Sequence, residues 1–152
     1  STARLVLAGG ADPENPASIP ESEIRAWAAL EGIEWLGQVD DVREVWARAH
    51  IAVLASRGGE GIPMSLMEAA ACGRPMVATD VPGCREIVRN GETGLLVPPN
   101  DVVALADAIE LLVHDANLRR RLGAAAREHV AAGLDARSVG RETIAVYREL
   151  LT

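Results

Sequence analysis

The sequence predicts an α/β domain with a doubly wound, Rossmann-like parallel sheet. Short, continuously apolar segments alternate with helical segments along the chain, and glycines follow several of the apolar segments. Strands that are apolar on both faces indicate a parallel sheet covered by helices on both sides. In such sheets ligands bind at the carboxyl ends of the strands, so the loops that follow the strands are the first places to look for a site.

Each element is predicted from its apolar pattern and from the residues that begin and end it. The predicted strands lie within "ARLVLAGG" (3–10), "IEWLG" (33–37), "HIAVLAS" (50–56), "PMVATD" (75–80) and "LLVPP" (95–99). The predicted helices lie within "PESEIRAWAALEG" (20–32), "DDVREVWARA" (40–49), residues 63–72, "CREIVRN" (84–90) and the chain from Asn100 onward, with breaks near 115–117 and 133–135. Gly73 is expected to end the helix at 63–72, and Pro75 to prevent its restart.

Composition and charge exclude several classes of protein. The 152 residues suit one domain, and the content of 49% hydrophobic and 24% charged residues is typical of a globular protein. A net charge of −7 argues against a general nucleic-acid binder, which needs a basic face. The two cysteines, Cys72 and Cys84, lack metal-site spacing and are expected to be reduced in a cytosolic protein. The sequence predicts no membrane span or signal peptide, and its abrupt start predicts a cut inside a larger protein.

The loop after the third predicted strand has the composition of an anion site. Gly58, Gly59 and Gly61 remove side chains where the backbone must turn or approach a ligand closely. Pro63 suits the first turn of the following helix. Free N–H groups at a helix start attract phosphate, although the Gly-Lys-Ser/Thr ending of a Walker loop is absent.

Two glutamates accompany this loop. Glu68 lies about five residues into the helix, roughly 7–8 Å along its axis, so its carboxylate could hold a ribose diol one sugar away from a diphosphate. The alternatives are that Glu68 caps a backbone N–H or pairs with an arginine such as Arg85. A helix apolar all round is expected to be buried, where an unpaired charge is costly. Glu60 could bind donor-sugar hydroxyls, or could be a solvated loop acid or a partner of the helix dipole.

The stretch "EGIPMSLME" (60–68) resembles the E-x(7)-E motif of retaining glycosyltransferases of family 4, the group 1 glycosyltransferases of GT-B architecture. The resemblance continues through "EAAACGRPMVATDVPGCREIVRNGETGLLVPPNDVVALADAI" (68–109) and covers essentially the whole chain. It is strongest to the C-terminal nucleotide-sugar domain of bacterial capsular, exopolysaccharide and O-antigen enzymes. The chain is therefore expected to be one half of a GT-B glycosyltransferase.

The resemblance implies a role for each candidate residue. Glu60 would be the catalytic residue that binds the donor sugar, and Glu68 would hold the ribose. Backbone groups between them would meet the sugar and diphosphate, and they belong to Gly61, Ile62, Pro63 (through its neighbours), Met64 and Ser65. The base side or the border of the cleft would be formed by Gly9, Gly10 and Val39.

The resemblance also implies what surrounds this domain. Residues 1–152 would form the donor-binding domain without its usual first strand, whose arginine and lysine neutralise the diphosphate, and without the N-terminal acceptor domain. In the usual strand order, 3-2-1-4-5-6, the missing strand would be central and its absence would leave a gap in the sheet.

The implied reaction moves a hexose from a UDP- or GDP-sugar to a glycan or lipid-linked acceptor in surface polysaccharide synthesis. No metal or other cofactor is expected. The full-length enzyme is expected in the cytoplasm, and peripheral association with the inner face of the membrane is left open. The sugar, base, acceptor, front-face or double-displacement route and oligomeric state are also left open. Two alternatives remain, namely a GT-B sugar-nucleotide epimerase and a nucleotide-binding fragment that is inactive by itself.

Two late segments receive structural interpretations. The arginine run in "NLRRRLGAAAREHV" (117–130) is interpreted as a solvated helix face. The final segment, "ARSVGRETIAVYRELL" (136–151), carries apolar residues at helical spacing. The last helix of the family often crosses to the other domain, so part of this face is expected to be unsatisfied.

Overall fold

The computed structural model of the chain describes residues 3–12, 14–15, 18–59, 61–134 and 136–151. These residues form five strands and seven helices. The strands are β1 (Leu5–Leu7), β2 (Ile33–Trp35), β3 (Ala52–Leu54), β4 (Met76–Thr79) and β5 (Gly94–Val97). The helices are α1 (Glu21–Ala28), α2 (Val42–Arg48), α3 (Met64–Ala71), α4 (Pro82–Ile87), α5 (Val102–His114), α6 (Ala116–Ala131) and α7 (Ala136–Leu150). The predicted elements are thus confirmed, with boundaries that differ by a few residues.

The chain divides into two compact units, Ser1–Ala49 and His50–Thr152. In the first unit β1 and β2 pair in parallel, with Leu5 opposite Ile33 and Leu7 opposite Trp35. The first unit contains no buried residue among those that the structure describes. Its stability therefore rests on half-covered side chains.

The second unit contains the core. Its sheet has the order β3-β4-β5 and is parallel throughout. All four residues of β4 are buried, as expected for a central strand covered on both faces. Helices α5 and α6 pack on this sheet, where Leu112 and Leu122 join Val77 and Val97 in one apolar cluster.

In each unit, the strands that pair are consecutive along the chain and run parallel. The parallel, helix-flanked sheets confirm the predicted fold class. The absence of a first strand stays a prediction.

A close helix contact positions the end of α3. Gly73 follows α3 in the left-handed conformation, with φ of +69°, and so ends the helix as expected. Gly123 of α6 lies against this turn, and a Cβ atom there would overlap the carbonyl oxygen of Gly73. A glycine on α6 thus allows the two backbones to meet.

One part of the arginine run differs from its interpretation as a solvated face. Arg119 is half-buried, and its Nη1 donates to the carbonyl oxygens of Leu112 at 2.5 Å and Val113 at 2.8 Å. Arg119 therefore satisfies orphan carbonyls at the end of α5. The sequence did not reveal this role because the acceptors belong to the preceding helix.

Helix α7 leaves an apolar face uncovered, in line with its expected unsatisfied face. Its exposed members are Val139, Ile144, Val146, Tyr147 and Leu150. Within the described residues, no helix combines the length and apolarity needed to cross a bilayer.

Candidate functional site

The loop between β3 and α3 leaves the carboxyl end of its strand and turns sharply through two glycines. Gly58 and Gly59 have φ of +108° and +83°, which side-chain-bearing residues rarely adopt. A Cβ atom at Gly58, Gly59 or Gly61 would meet no described atom within 4 Å, so no protein packing requires the missing side chains. The turn explains the first two glycines, and the open space at all three leaves room for a ligand.

The start of α3 offers uncommitted backbone donors. Pro63 is buried and is the N-cap residue, one position earlier than the first-turn position expected from the sequence. Its carbonyl accepts hydrogen bonds from the N–H groups of Leu66 and Met67, each at 3.2 Å. Among the described residues, no side chain caps this helix start. The preceding N–H groups, of Met64 and Ser65, therefore face the position where a helix attracts anions.

Glu68 is the fifth residue of α3 and is half-buried. Among the described residues, its carboxylate forms no hydrogen bond or ion pair. The alternative partner Arg85 is engaged elsewhere, because its Nε donates to Oδ1 of Asp80 at 2.5 Å. No described protein group therefore occupies the acceptors of the Glu68 carboxylate.

The expectation that α3 is buried all round is wrong. Leu66, Ala69 and Ala70 are buried, but Met64 is 63% exposed and Ser65 is also exposed. Only one side of α3 packs against the protein, so Glu68 does not incur the full cost of a buried charge. The openness of the first turn, rather than burial of Glu68, now distinguishes this helix.

The predicted sugar and diphosphate residues follow one another along this open segment. Gly61 and Ile62 are exposed ahead of Pro63, and Met64 and Ser65 are exposed after it. Glu60, the predicted catalytic residue, lies outside the described residues. The second unit therefore brings Gly61 to Ser65 and Glu68 together along the start of one helix.

The three remaining predicted residues belong to the first unit. The Gly9 N–H donates to the carbonyl of Gly37, and its own carbonyl accepts from Trp35 Nε1, each at 2.8 Å. Gly10 lines a cavity of about 490 Å³ beside Trp35, over whose ring the Arg25 guanidinium lies at 5.2 Å. Val39 lines a cavity of about 450 Å³ whose other walls include acidic and apolar side chains and Arg48. Gly10 and Val39 thus border open space in their own unit, whereas Gly9 is held by hydrogen bonds to Gly37 and Trp35.

Two residues at the carboxyl end of β4, Thr79 and Asp80, were not predicted from the sequence. Thr79 is buried there, and Asp80 follows it and forms the ion pair with Arg85. The hydrogen bond from Arg85, aided by its positive charge, lowers the pKa of the Asp80 carboxyl group. Their position in the sequence could have identified them, because "TD" directly follows the apolar run "PMVA" at the end of a predicted strand, where ligands bind in this fold.

Comparisons with known proteins agree with the fold. A model of the family described as "Glycosyl transferases group 1" matches residues 1–115. An exopolysaccharide phosphotransferase of Streptomyces coelicolor is 50% identical over 99 residues, which are 64% of this chain and 10% of that protein. A phosphatidyl-myo-inositol mannosyltransferase of Mycobacterium leprae is 39% identical over 129 residues, which are 84% of this chain and 33% of that protein.

A solved structure agrees in fold over nearly the whole chain. The sucrose-phosphate synthase of Thermosynechococcus elongatus superposes with a TM-score of 0.86 and 32% identity, covering 97% of this chain and 38% of that one. The chain spans a third or less of the length of the two curated relatives. The family match covers more than half of the residues, and the chain therefore belongs to the group 1 glycosyltransferases.

Proposed function

We propose that this chain is the donor-binding domain of a retaining glycosyltransferase. The intact, cytoplasmic enzyme moves a hexose from a nucleoside-diphosphate sugar, with UDP or GDP as the nucleotide, to a hydroxyl group of a glycan or lipid-linked acceptor. The acceptor binds through a domain outside this chain. Family membership supports the class of reaction, and the arrangement at α3 supports the donor-binding role.

One observation carries the proposal. An open glycine turn leads into a helix start without a side-chain cap, and a carboxylate without a described partner follows within the same helix. Glu68 lies about 7.5 Å along the helix axis from Pro63, a separation suited to a ribose beside a diphosphate. The N–H groups of Met64 and Ser65 meet the diphosphate, and the Glu68 carboxylate accepts hydrogen bonds from the ribose hydroxyls.

The names of relatives support the finer assignment. The Mycobacterium leprae protein is named a mannosyltransferase, which favours a hexose donor. The Streptomyces coelicolor protein is named for exopolysaccharide, which favours a role in surface polysaccharide synthesis. We extend both features to this chain as parts of the proposal.

The chemistry needs charge stabilisation at the leaving group. As the bond between the sugar C1 and the diphosphate oxygen breaks, negative charge grows on the diphosphate, where the α3 N-terminus stabilises it. The acceptor hydroxyl oxygen bonds to C1 on the face from which the diphosphate leaves, its proton passes to the departing diphosphate oxygen, and the configuration is retained. Glu60 binds the donor sugar hydroxyls and orients this carbon. No metal takes part in the proposed step.

The test uses the full-length protein with UDP- and GDP-hexoses, with and without lipid-linked or glycan acceptors. We expect nucleoside diphosphate to be released only when an acceptor is present, and the glycosidic product to keep the anomeric configuration of the donor. Release should persist in excess EDTA. The Glu60→Gln variant should still bind the nucleoside diphosphate and lose at least about 10²-fold in kcat, an effect of the size seen when a group acting at the reacting centre is removed.

Other results would contradict the proposal in distinguishable ways. Interconversion of the sugar nucleotide without an acceptor would indicate the epimerase instead. Inversion at C1 would exclude the retaining route, and loss of activity in EDTA would exclude the metal-free step. Absence of binding to any nucleotide by the full-length protein would overturn the donor-binding role.

A further inference from the structure

A side chain at the carboxyl end of β4 makes a hydrogen bond to the glycine loop. Thr79 is the last residue of β4 and is only 4% exposed. Its hydroxyl group donates a hydrogen bond of 2.6 Å to the backbone carbonyl of Ser56, which opens the loop after β3. A buried hydroxyl is retained at little cost when it is hydrogen-bonded, and this bond satisfies Thr79.

The position of this bond follows from the register of the sheet. The backbone pairing of β3 with β4 ends at Leu54 opposite Ala78. Beyond that point β3 leads into the loop, and Thr79, the next residue of β4, bonds through its side chain to Ser56 in that loop. The Thr79 hydroxyl therefore links β4 to the loop after β3, just beyond the last backbone pair of the two strands.

Thr79 is held firmly on its other side. The pairing of β4 with β5 extends one residue further, to Thr79 opposite Val97, and the Asp80 N–H donates to the Val97 carbonyl at 2.7 Å. Because β5 fixes the backbone of Thr79, its hydroxyl acts as an anchor from the core of the second unit.

Ser56 links Thr79 to the glycine turn through two hydrogen bonds. While its carbonyl accepts from Thr79, its hydroxyl oxygen accepts from the Gly58 N–H at 3.3 Å. Gly58 and Gly59 then adopt the positive φ angles that lead the chain toward α3. The described contacts thus run from β5 through Thr79 and Ser56 to the first glycine of the turn.

We propose that Thr79 is a positioning residue that holds the glycine loop in the conformation that binds the donor. The inference rests on the proposed function, because the loop is the segment assigned to donor binding. Thr79 acts through the Ser56 carbonyl and touches no substrate itself.

The test compares three variants. Thr79→Val keeps the shape of the side chain and removes the hydroxyl group, leaving the Ser56 carbonyl without its donor, whereas Thr79→Ser keeps the hydroxyl. Thr93→Val is the matched control. Thr93 is 1% exposed, and its hydroxyl accepts from the Arg89 N–H at 2.8 Å and donates to the Ile87 carbonyl at 3.1 Å, away from the loop.

Two measurements separate anchoring from general stability. Amide NMR spectra of the 152-residue chain report on Gly58 and Gly59 directly, and steady-state kinetics of the full-length protein report on donor use. In Thr79→Val we expect shifted Gly58 and Gly59 resonances with lower heteronuclear NOE values. We also expect a donor KM raised about 3- to 10-fold with an unchanged acceptor KM, the size of one lost hydrogen bond.

The control variants distinguish anchoring of the loop from a general loss of stability. Thr79→Ser should restore both the resonances and the donor KM, and Thr93→Val should lower the melting temperature while leaving both unchanged. Unaltered glycine resonances in Thr79→Val, or failure of Thr79→Ser to restore them, would overturn the anchoring role. Altered resonances with an unchanged donor KM would overturn its link to donor binding. If the wild-type protein used no donor, the proposed function would fail, and the resonances would still decide the anchoring role.

Discussion

The contacts open to Glu68 depend on which neighbouring groups already have partners. Arg85, the arginine considered as its partner, is bound to Asp80, and α3 is open at its first turn. The Glu68 carboxylate is therefore partly exposed and has no described partner. The proposed ribose contact can be tested without disrupting a described ion pair.

The first prediction removes the charge of Glu68. Glu68→Gln in the full-length protein should raise the donor KM about 10- to 100-fold, because hydrogen bonds to a charged acceptor are stronger than those to a neutral one. Glu86→Gln, at an exposed position of α4, is the matched control and should leave KM unchanged.

A donor that lacks one ribose hydroxyl group sharpens this test. The wild-type enzyme should bind such a donor less tightly than the complete one, whereas Glu68→Gln should discriminate little between them, since the interacting pair is already broken. Equal discrimination by both proteins would assign Glu68 to another part of the ligand.

The second prediction concerns the ion pair of Asp80 and Arg85. Since the hydrogen bond from Arg85 lowers the pKa of Asp80 below its ordinary value of 3.8, the ionised pair stabilises the fold above that value. This contribution is lost as the pH falls through the lowered pKa. Arg85→Gln should therefore reduce the melting temperature slightly at pH 7 and have no effect in strong acid.

An NMR titration of the Asp80 carboxyl group checks the cause directly. Its pKa should rise in Arg85→Gln. Arg43→Gln is the control, because Arg43 lowers the pKa of Asp41 by the same type of hydrogen bond. It should raise the pKa of Asp41 alone. A lowered pKa of Asp80 that survived the loss of Arg85 would assign the shift to another group.

At the scale of elements, the site depends on how α3 is held at both ends. Its beginning follows the glycine turn, and its end meets α6 at Gly73 and Gly123. The sequence predicted the end of α3 at Gly73 correctly, because a glycine followed closely by a proline is a local signal. The role of Gly123 was not predictable, since a helical glycine carries no sign of which backbone lies against it.

The third prediction uses two helical glycines with opposite surroundings. Gly123→Ala should lower the free energy of unfolding by about 1–3 kcal/mol, because the new methyl group overlaps a backbone carbonyl that cannot move freely. Gly140→Ala, on α7 with open space around it, should instead favour its helix by about 0.5–1 kcal/mol. Urea unfolding followed by circular dichroism measures both. Equal effects of the two changes would contradict the close contact at Gly123.

At the scale of the molecule, the two units differ in how much they bury. Every buried residue that the structure describes belongs to the second unit, and all four residues of β4 are among them. The strands of the first unit are half-covered. Burial of apolar surface is the main source of stability, so the two units should open with different free energies.

The fourth prediction follows from this difference. In hydrogen exchange of the 152-residue chain, amides of β4 should be protected at least about 100-fold more than those of β1, as expected when core strands open only with the global fold. Thermal unfolding of residues 50–152 alone should remain cooperative. Equal protection of β1 and β4 would show that the first unit draws its stability from contacts other than its own burial.

The sequence by itself determined the order of strands and helices, the parallel arrangement, the glycine turn and the place of Glu68 within its helix. These features depend on periodicity and on turn residues, which act over a few neighbouring positions. The tertiary structure alone decided that α3 is covered on one side only, that Arg85 belongs to Asp80, that Arg119 completes α5 and that Thr79 holds Ser56. Each of these rests on contacts between segments or helix faces that no local pattern specifies, and the physical reason is that a polar side chain takes the partner that folding brings within reach.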